Sequence, residues 1–231
     1  MKIINYVCSL GNRCHSAYLL KQCGLKKASY PFDWIFSDLD MIIHCIGNKF
    51  NVFLDKQYYT SSNISLNKQK HDLYKLNEED YTFNHHNPLN KKDYEYFQRC
   101  CLRLFKLFEK PETKMFLLMF LNYSKMDELF ISKIEEFNYN LCKFTNNYGL
   151  LCIINYKSDQ NSYKITKKEN IHFLELNTLS YSNGKEFERK EDNEYLQKIL
   201  TTTYQFELLD IEEVNLTEEK LVNDNIYNLT N

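Results

Sequence analysis

The stretch Cys8-Ser9-Leu10-Gly11-Asn12-Arg13-Cys14-His15-Ser16 brings thiols, hydroxyls, an imidazole and a glycine together, and Ser29-Tyr30-Pro31-Phe32-Asp33-Trp34 follows close behind. An apolar run, Ile3-Ile4-Asn5-Tyr6-Val7-Cys8, predicts a short buried strand that breaks at Gly11. Helical spacing begins at once, with Ala17, Leu20 and Cys23 on one face and Gly24 where a helix stops. Asn12 is the expected N-cap, because its side-chain oxygen can accept from a free amide of the first turn. Cys14 then sits in that first turn, where free N–H groups and the helix dipole stabilise an anion. A lowered thiol pKa and a larger thiolate fraction are expected there, which suits a cysteine nucleophile. The competing reading is a small buried hydrophobe.

The elements that must position these residues follow from the rest of the chain. Its 231 residues suffice for a substantial core, and 43% hydrophobic with 26% charged residues is ordinary for a globular protein. We read one domain over 1–231, with a polar excursion at 55–80 and a loosely held tail from about 213. The net charge of −2 gives no reason to expect nucleic acid as a partner. No apolar stretch approaches the ~20 residues of a membrane span, and the Met-Lys start is too short for a signal peptide. The eight cysteines contain no Cys-x-x-Cys pair and mostly lie in apolar runs, so reduced thiols in the cytoplasm are expected. The scattered histidines and carboxylates suggest neither metal nor cofactor.

In chain order, Leu39, Ile42, Ile43 and Ile46 predict a helix starting near Ser37 and ending at Gly47. Residues 55–80 read as a surface excursion with short strands, and Tyr81–Pro88 as a strand-like piece ending in a turn. Tyr94, Phe97, Cys101, Leu104, Phe105 and Phe108 mark a helix from Lys91 to Glu109, closed by Pro111. Met115–Leu121 is apolar throughout, as a strand covered on both faces would be. A helix capped by Ser124 carries Leu129, Ile134, Phe137, Leu141 and Phe144, and Gly149 is expected to end it. Leu150–Ile154 is another buried strand, a Lys/Ser-rich loop follows, and Ile171–Leu176 and Glu191–Thr203 read as strand and helix. This alternation predicts an α/β protein with a mostly parallel sheet flanked by helices, whose site lies at the carboxyl ends of the strands. His15 is expected to face solvent, and His44 and His172 to be packed.

Ser9-Leu10-Gly11-x-x-Cys14, the Ser29-x-Pro31-Phe32-Asp33-Trp34 block, and Phe83-x-His85 before a Tyr- and Arg-bearing helix resemble the DUF1796 family, described as papain-like cysteine peptidases of bacteria and large DNA viruses. The resemblance covers roughly residues 3–125. It implies Cys14 as nucleophile, a histidine base at His85 or His86, a protein or peptide substrate, and, for a viral protein, the host cytoplasm. It also implies an alternative fold, a papain-like α+β arrangement with an antiparallel sheet. A thiol of this kind needs an imidazole, a group to orient that ring, and oxyanion donors. Asp33 or Asn87 could orient the ring, and the Cys14 N–H with the Asn12 side chain could hold the oxyanion. Asp33 could equally cap a helix or pair with an arginine. Trp34 reads first as a core anchor and otherwise as a substrate contact. Two other readings stand beside this one. The first is an α/β esterase or transferase resembling the SGNH type, acting through Ser9 or Cys14; the second is a catalytically idle viral protein that interacts with the host.

Overall fold

The computed structural model describes residues 2–61, 68–74 and 81–216. Strand β1 (Tyr6–Ser9) leads into α1 (Cys14–Gln22), followed by α2 (Leu39–Gly47), a short hairpin of β2 (Tyr59–Ser61) and β3 (Gln69–His71), and α3 (Lys91–Glu109). Then come β4 (Lys114–Phe120), α4 (Glu128–Leu141), β5 (Tyr148–Lys157), β6 (Ser162–Lys168), β7 (Ile171–Thr178) and α5 (Lys190–Thr203). The main sheet has the order β1-β4-β5-β7-β6. β1 with β4, β4 with β5, and β5 with β7 all run parallel; β6 runs antiparallel to β7. The expected α/β fold is therefore the observed one, and the central pair, with Leu117 opposite Leu151, is parallel rather than antiparallel.

Side-chain alternation along β4 divides the core. Phe116, Leu118 and Phe120 join Ile42, Ile46, Phe97, Leu104, Ile134 and Phe137, so α2, α3 and α4 cover one face. Met115, Leu117 and Met119 join Leu19, Leu20, Leu196 and Leu200, so α1 and α5 cover the other. With both faces covered, every residue of β4 is buried, as the apolar run Met115–Phe120 requires, and Lys114 at its start is satisfied by the Lys110 and Glu112 carbonyls. The strand β1 would be an open edge, but the chain after α5 lies along it. Ile4 N donates to Gln205 O at 2.9 Å and Glu207 N to Ile4 O at 3.0 Å. That covers the edge and ties down part of the segment after α5.

Several local expectations need correction. β6 occupies what reads as a Lys/Ser-rich loop; its sequence is polar because it is the far edge strand, mostly exposed, where lysines discourage further pairing. The cap of α4 is Asp127, whose side chain accepts from Phe130 N, not Ser124. α4 stops at Leu141, and Gly149 lies inside β5, the reversal falling instead at Asn147 with φ 47°. Asp38 caps α2. Tyr81–Pro88 forms no strand; Phe83 makes single bridges to Ile35 and Gln69. Of the polar excursion, residues 62–67 and 75–80 lie outside the described residues, as do 217–231 of the tail. Val214, within the stretch expected to be loose, is buried.

Candidate active site

The turn between β1 and α1 is built around two consecutive left-handed residues, Gly11 at φ 88° and Asn12 at φ 77°. A Cβ on Gly11 would lie 2.5 Å from Ser37 Oγ and 2.7 Å from Phe32 O, so no other residue fits against the Tyr30–Ser37 loop. Ser9 Oγ accepts from Gly11 N at 3.2 Å and meets Ser16 Oγ at 2.7 Å, closing the turn from within. Ser37 Oγ accepts from Asn12 N at 3.0 Å. Asn12 is thus not the cap of α1. Arg13 holds that position without a side-chain cap bond, and its guanidinium lies 4.5 Å over the Phe36 ring. No side-chain hydrogen bond engages the Asn12 amide among the described residues.

Cys14 is the first residue of α1, at the carboxyl end of β1. It is only 4% exposed, and burial pushes its thiol up to about 11, outweighing the lowering by its own backbone N–H and by Arg13. The expected low pKa is therefore not found, because desolvation of the anion exceeds what the helix start returns. The cysteine rests as a thiol.

The remaining candidates divide into two groups. His85 is exposed, meets the Trp34 ring edge-on at 6.1 Å between centroids, and has Asn84 Nδ2 3.3 Å from its Nε2. Burial, His86 and the Lys185 ammonium hold its pKa below the ordinary histidine value. His86 turns the other way. It stacks on Tyr96 at 4.3 Å, and its Nδ1 lies 3.5 Å from Asp93 Oδ1 on α3. Asp93 also accepts from Asn87 N at 2.8 Å, while Asn87 Oδ1 accepts from Leu89 N at 3.0 Å. Asn87 therefore shapes the turn after the histidines. Asp33 is fully buried, with Lys26 Nζ and Tyr30 N donating to its Oδ2. Its hydrogen-bond partners among the described residues are a lysine and a backbone amide, not a histidine. Among the described residues, the polar contacts of His85 and His86 are with Asn84 and Asp93, and none joins either ring to Cys14.

His15 is a correction with consequences. It is 1% exposed rather than facing solvent, with Nδ1 2.8 Å from Ser182 Oγ and its ring edge against Phe187 at 4.7 Å. Burial holds its pKa down to about 3, so the ring is neutral. His15 N also donates to Gly184 O at 2.9 Å. The Ser182 segment is held in turn by Asn122, after β4. Its side chain donates to Ser182 O and accepts from Ser182 N, each at 2.9 Å. The segment after β7 is thereby fastened beside Cys14. The signal in the sequence is Ser182-Asn183-Gly184, a turn signature following a buried strand at the carboxyl edge of the sheet. Of the other histidines, His44 is exposed on α2 and meets Tyr74 Oη, while His172 is half-buried against Tyr204.

Among the described residues, no group of three His, Cys, Asp or Glu side chains is placed to hold a metal ion, and no helix is long and apolar enough to cross a membrane. A family profile described as "Putative papain-like cysteine peptidase (DUF1796)" matches residues 5–154. An uncharacterized protein of Acanthamoeba polyphaga mimivirus is 52% identical over 46 residues, 20% of this chain and 21% of that protein. The chain thus aligns with about a fifth of the length of that relative. No solved structure matches it. The family match runs from β1 into β5, taking in the Cys14 turn, the Pro31–Trp34 block and both adjacent histidines, and the chain belongs to the DUF1796 family.

Proposed function

We propose that this chain is a cysteine-dependent hydrolase of peptide-type acyl bonds, with Cys14 as nucleophile and His85 as general base. The observation that carries the reading is the position of Cys14. It heads a helix at the carboxyl end of a parallel strand, beside an Asn12 side-chain amide that no described residue engages. Membership of the family supports the same assignment.

A thiol held near 11 has little thiolate at neutral pH, so proton removal must accompany attack. His85, kept neutral by its lowered pKa, takes the Sγ proton as sulfur bonds to the carbonyl carbon. The oxyanion is held by the Cys14 N–H and Asn12 Nδ2. His85 then returns the proton to the leaving amine as the C–N bond breaks. Water, deprotonated by the same ring, hydrolyses the thioester and restores the thiol. The reading requires His85 to swing from Asn84 to Sγ once substrate is bound, and its exposure leaves it free to do so. His86 clamps the segment to α3 through Asp93 and Tyr96. Asp33 with Lys26 fixes the turn that carries Trp34, which backs the His85 ring. Ser9, 1% exposed and bonded within the turn, serves the scaffold, which disfavours the esterase reading through that hydroxyl.

The test is a peptide library digested by the purified chain and read by mass spectrometry. Cleavage by the wild type and none by Cys14→Ala supports the reading. Equal cleavage by both proteins removes it.

A further inference from the structure

The Ser182 segment does more than hold α1. Lys185 follows Gly184, whose carbonyl is bonded to His15 N, and its Nζ lies 4.5 Å over the Tyr18 ring. Tyr18 is four residues beyond Cys14 and so shares its side of the helix. The Lys185 charge also helps to hold the His85 pKa down, after burial and His86. The ammonium is thus anchored one helical turn from the proposed nucleophile, on the segment bonded to the start of α1. Among the described residues its counter-charge is Glu186 Oε1 at 3.9 Å, a contact at the limit of an ion pair on a half-exposed side chain. Beyond Tyr18 a groove of about 470 Å³ runs between α1 and α5, where the Glu194 carboxylate is already matched by Lys190 at 2.9 Å.

We propose that Lys185 selects the substrate of this site by binding a carboxylate next to the acyl group that Cys14 attacks. The carboxylate is either an acidic side chain or a chain-terminal one, and the proposal rests on the hydrolase reading above. A cation on an aromatic face keeps much of its charge available while its position is fixed. Lys185 is exposed, so its attraction for an anion is screened by salt.

The test does not need turnover. Cys14 is alkylated at one fixed pH with iodoacetate and with iodoacetamide, reagents of similar size that differ in charge. Labelling at Cys14 is read by peptide mapping, and the rate ratio is normalised to that of glutathione. The expected ratio of iodoacetate to iodoacetamide exceeds that of glutathione. It should fall about three- to tenfold in Lys185→Gln and further in Lys185→Glu, with less difference at high salt. A ratio unchanged by both substitutions overturns the proposal. So does a Cys14 that neither reagent reaches while the exposed Cys142 is labelled. A second arm measures protection of Cys14 from iodoacetamide by three acetylated peptides. One is amidated with a single Glu, one is all-alanine with a free carboxylate, and the control is amidated all-alanine. Protection by the first or the second, lost in Lys185→Gln, names the source of the carboxylate; no selective protection by either overturns the carboxylate assignment. Failure of the hydrolase reading would appear separately, as the absence of Cys14-dependent cleavage with the alkylation ratio still responding to Lys185.

Discussion

His15 Nδ1 and Ser182 Oγ, 167 residues apart along the chain, meet at 2.8 Å beside the N-terminus of α1. This contact joins the turn after β1 to the segment after β7. With the Asn122 side chain spanning Ser182 N and O, it binds the carboxyl ends of three strands into one rim.

Ser182→Ala leaves the buried His15 nitrogen without its partner. A loss of roughly 1–3 kcal/mol in unfolding free energy is expected, as for an orphaned buried polar group. Urea denaturation of the two proteins measures it. A difference near zero would mean that another group takes over the hydrogen bond.

His15 also makes stability depend on pH. Its pKa is about 3 when folded, whereas an unfolded chain protonates the ring near 6.5. The unfolded state therefore binds the extra proton between those values, and stability falls as pH drops through that window. Above about 6.5 both states are neutral and the effect vanishes. The full loss is on the order of 4–5 kcal/mol, at about 1.4 kcal/mol per pKa unit. His15→Gln removes this group from the titration, so its stability relative to the wild type should rise on acidification. A constant difference between pH ~4 and ~7 would contradict the assignment.

How far the sequence foretold this arrangement depends on what each residue touches. The parallel core was legible because Met115–Leu121 and Leu150–Ile154 are apolar without a break, which only a doubly covered strand tolerates. The strand-to-helix turn was legible from Gly11, whose φ of 88° and crowded Cα admit no side chain. The burial of His15 was not legible. Its partners Ser182, Gly184 and Phe187 come from the far end of the chain, and helical periodicity says nothing about a segment that folds over from elsewhere. The thiol pKa failed for a related reason: position on the helix was readable, but the depth of burial was not. His85 and His86 are equivalent in the sequence and separate only when Asp93 and Tyr96 are seen to claim the second.

Asn12 separates backbone from side-chain roles. At φ 77°, Asn12→Ala should cost about 1 kcal/mol of stability, while Asn12→Gly should cost little because glycine adopts that conformation freely. Both substitutions remove the amide, and both should lower kcat by about 10²–10³ if it holds the oxyanion. Full activity in Asn12→Gly would exclude that role.

The buried pair of Asp33 and Lys26 calls for a double-substitution cycle. Removing either partner alone, as in Asp33→Asn or Lys26→Met, leaves a buried charge uncompensated and should cost about 3–5 kcal/mol. The double variant should lose much less than the sum. Thermal melts of the four proteins provide the measurement, and strict additivity would show the pair to be uncoupled.

His85→Ala and His86→Ala should differ in kind. The first is expected to lower kcat by about 10²–10⁴ with a normal melting temperature, as for loss of a general base. The second should lower stability by about 1 kcal/mol through loss of the Asp93 and Tyr96 contacts, and affect kcat less. The reverse pattern would assign the base to His86.

The most direct test of the account is to look for the acyl group on sulfur. The protein is mixed with a peptide that it cleaves, quenched in acid within the first turnover, and examined by intact mass and peptide mapping. The account predicts a mass increase equal to the acyl half of the substrate, carried by Cys14 and absent in Cys14→Ala. Cleavage without any adduct on Cys14, persisting in the alanine variant, would contradict it.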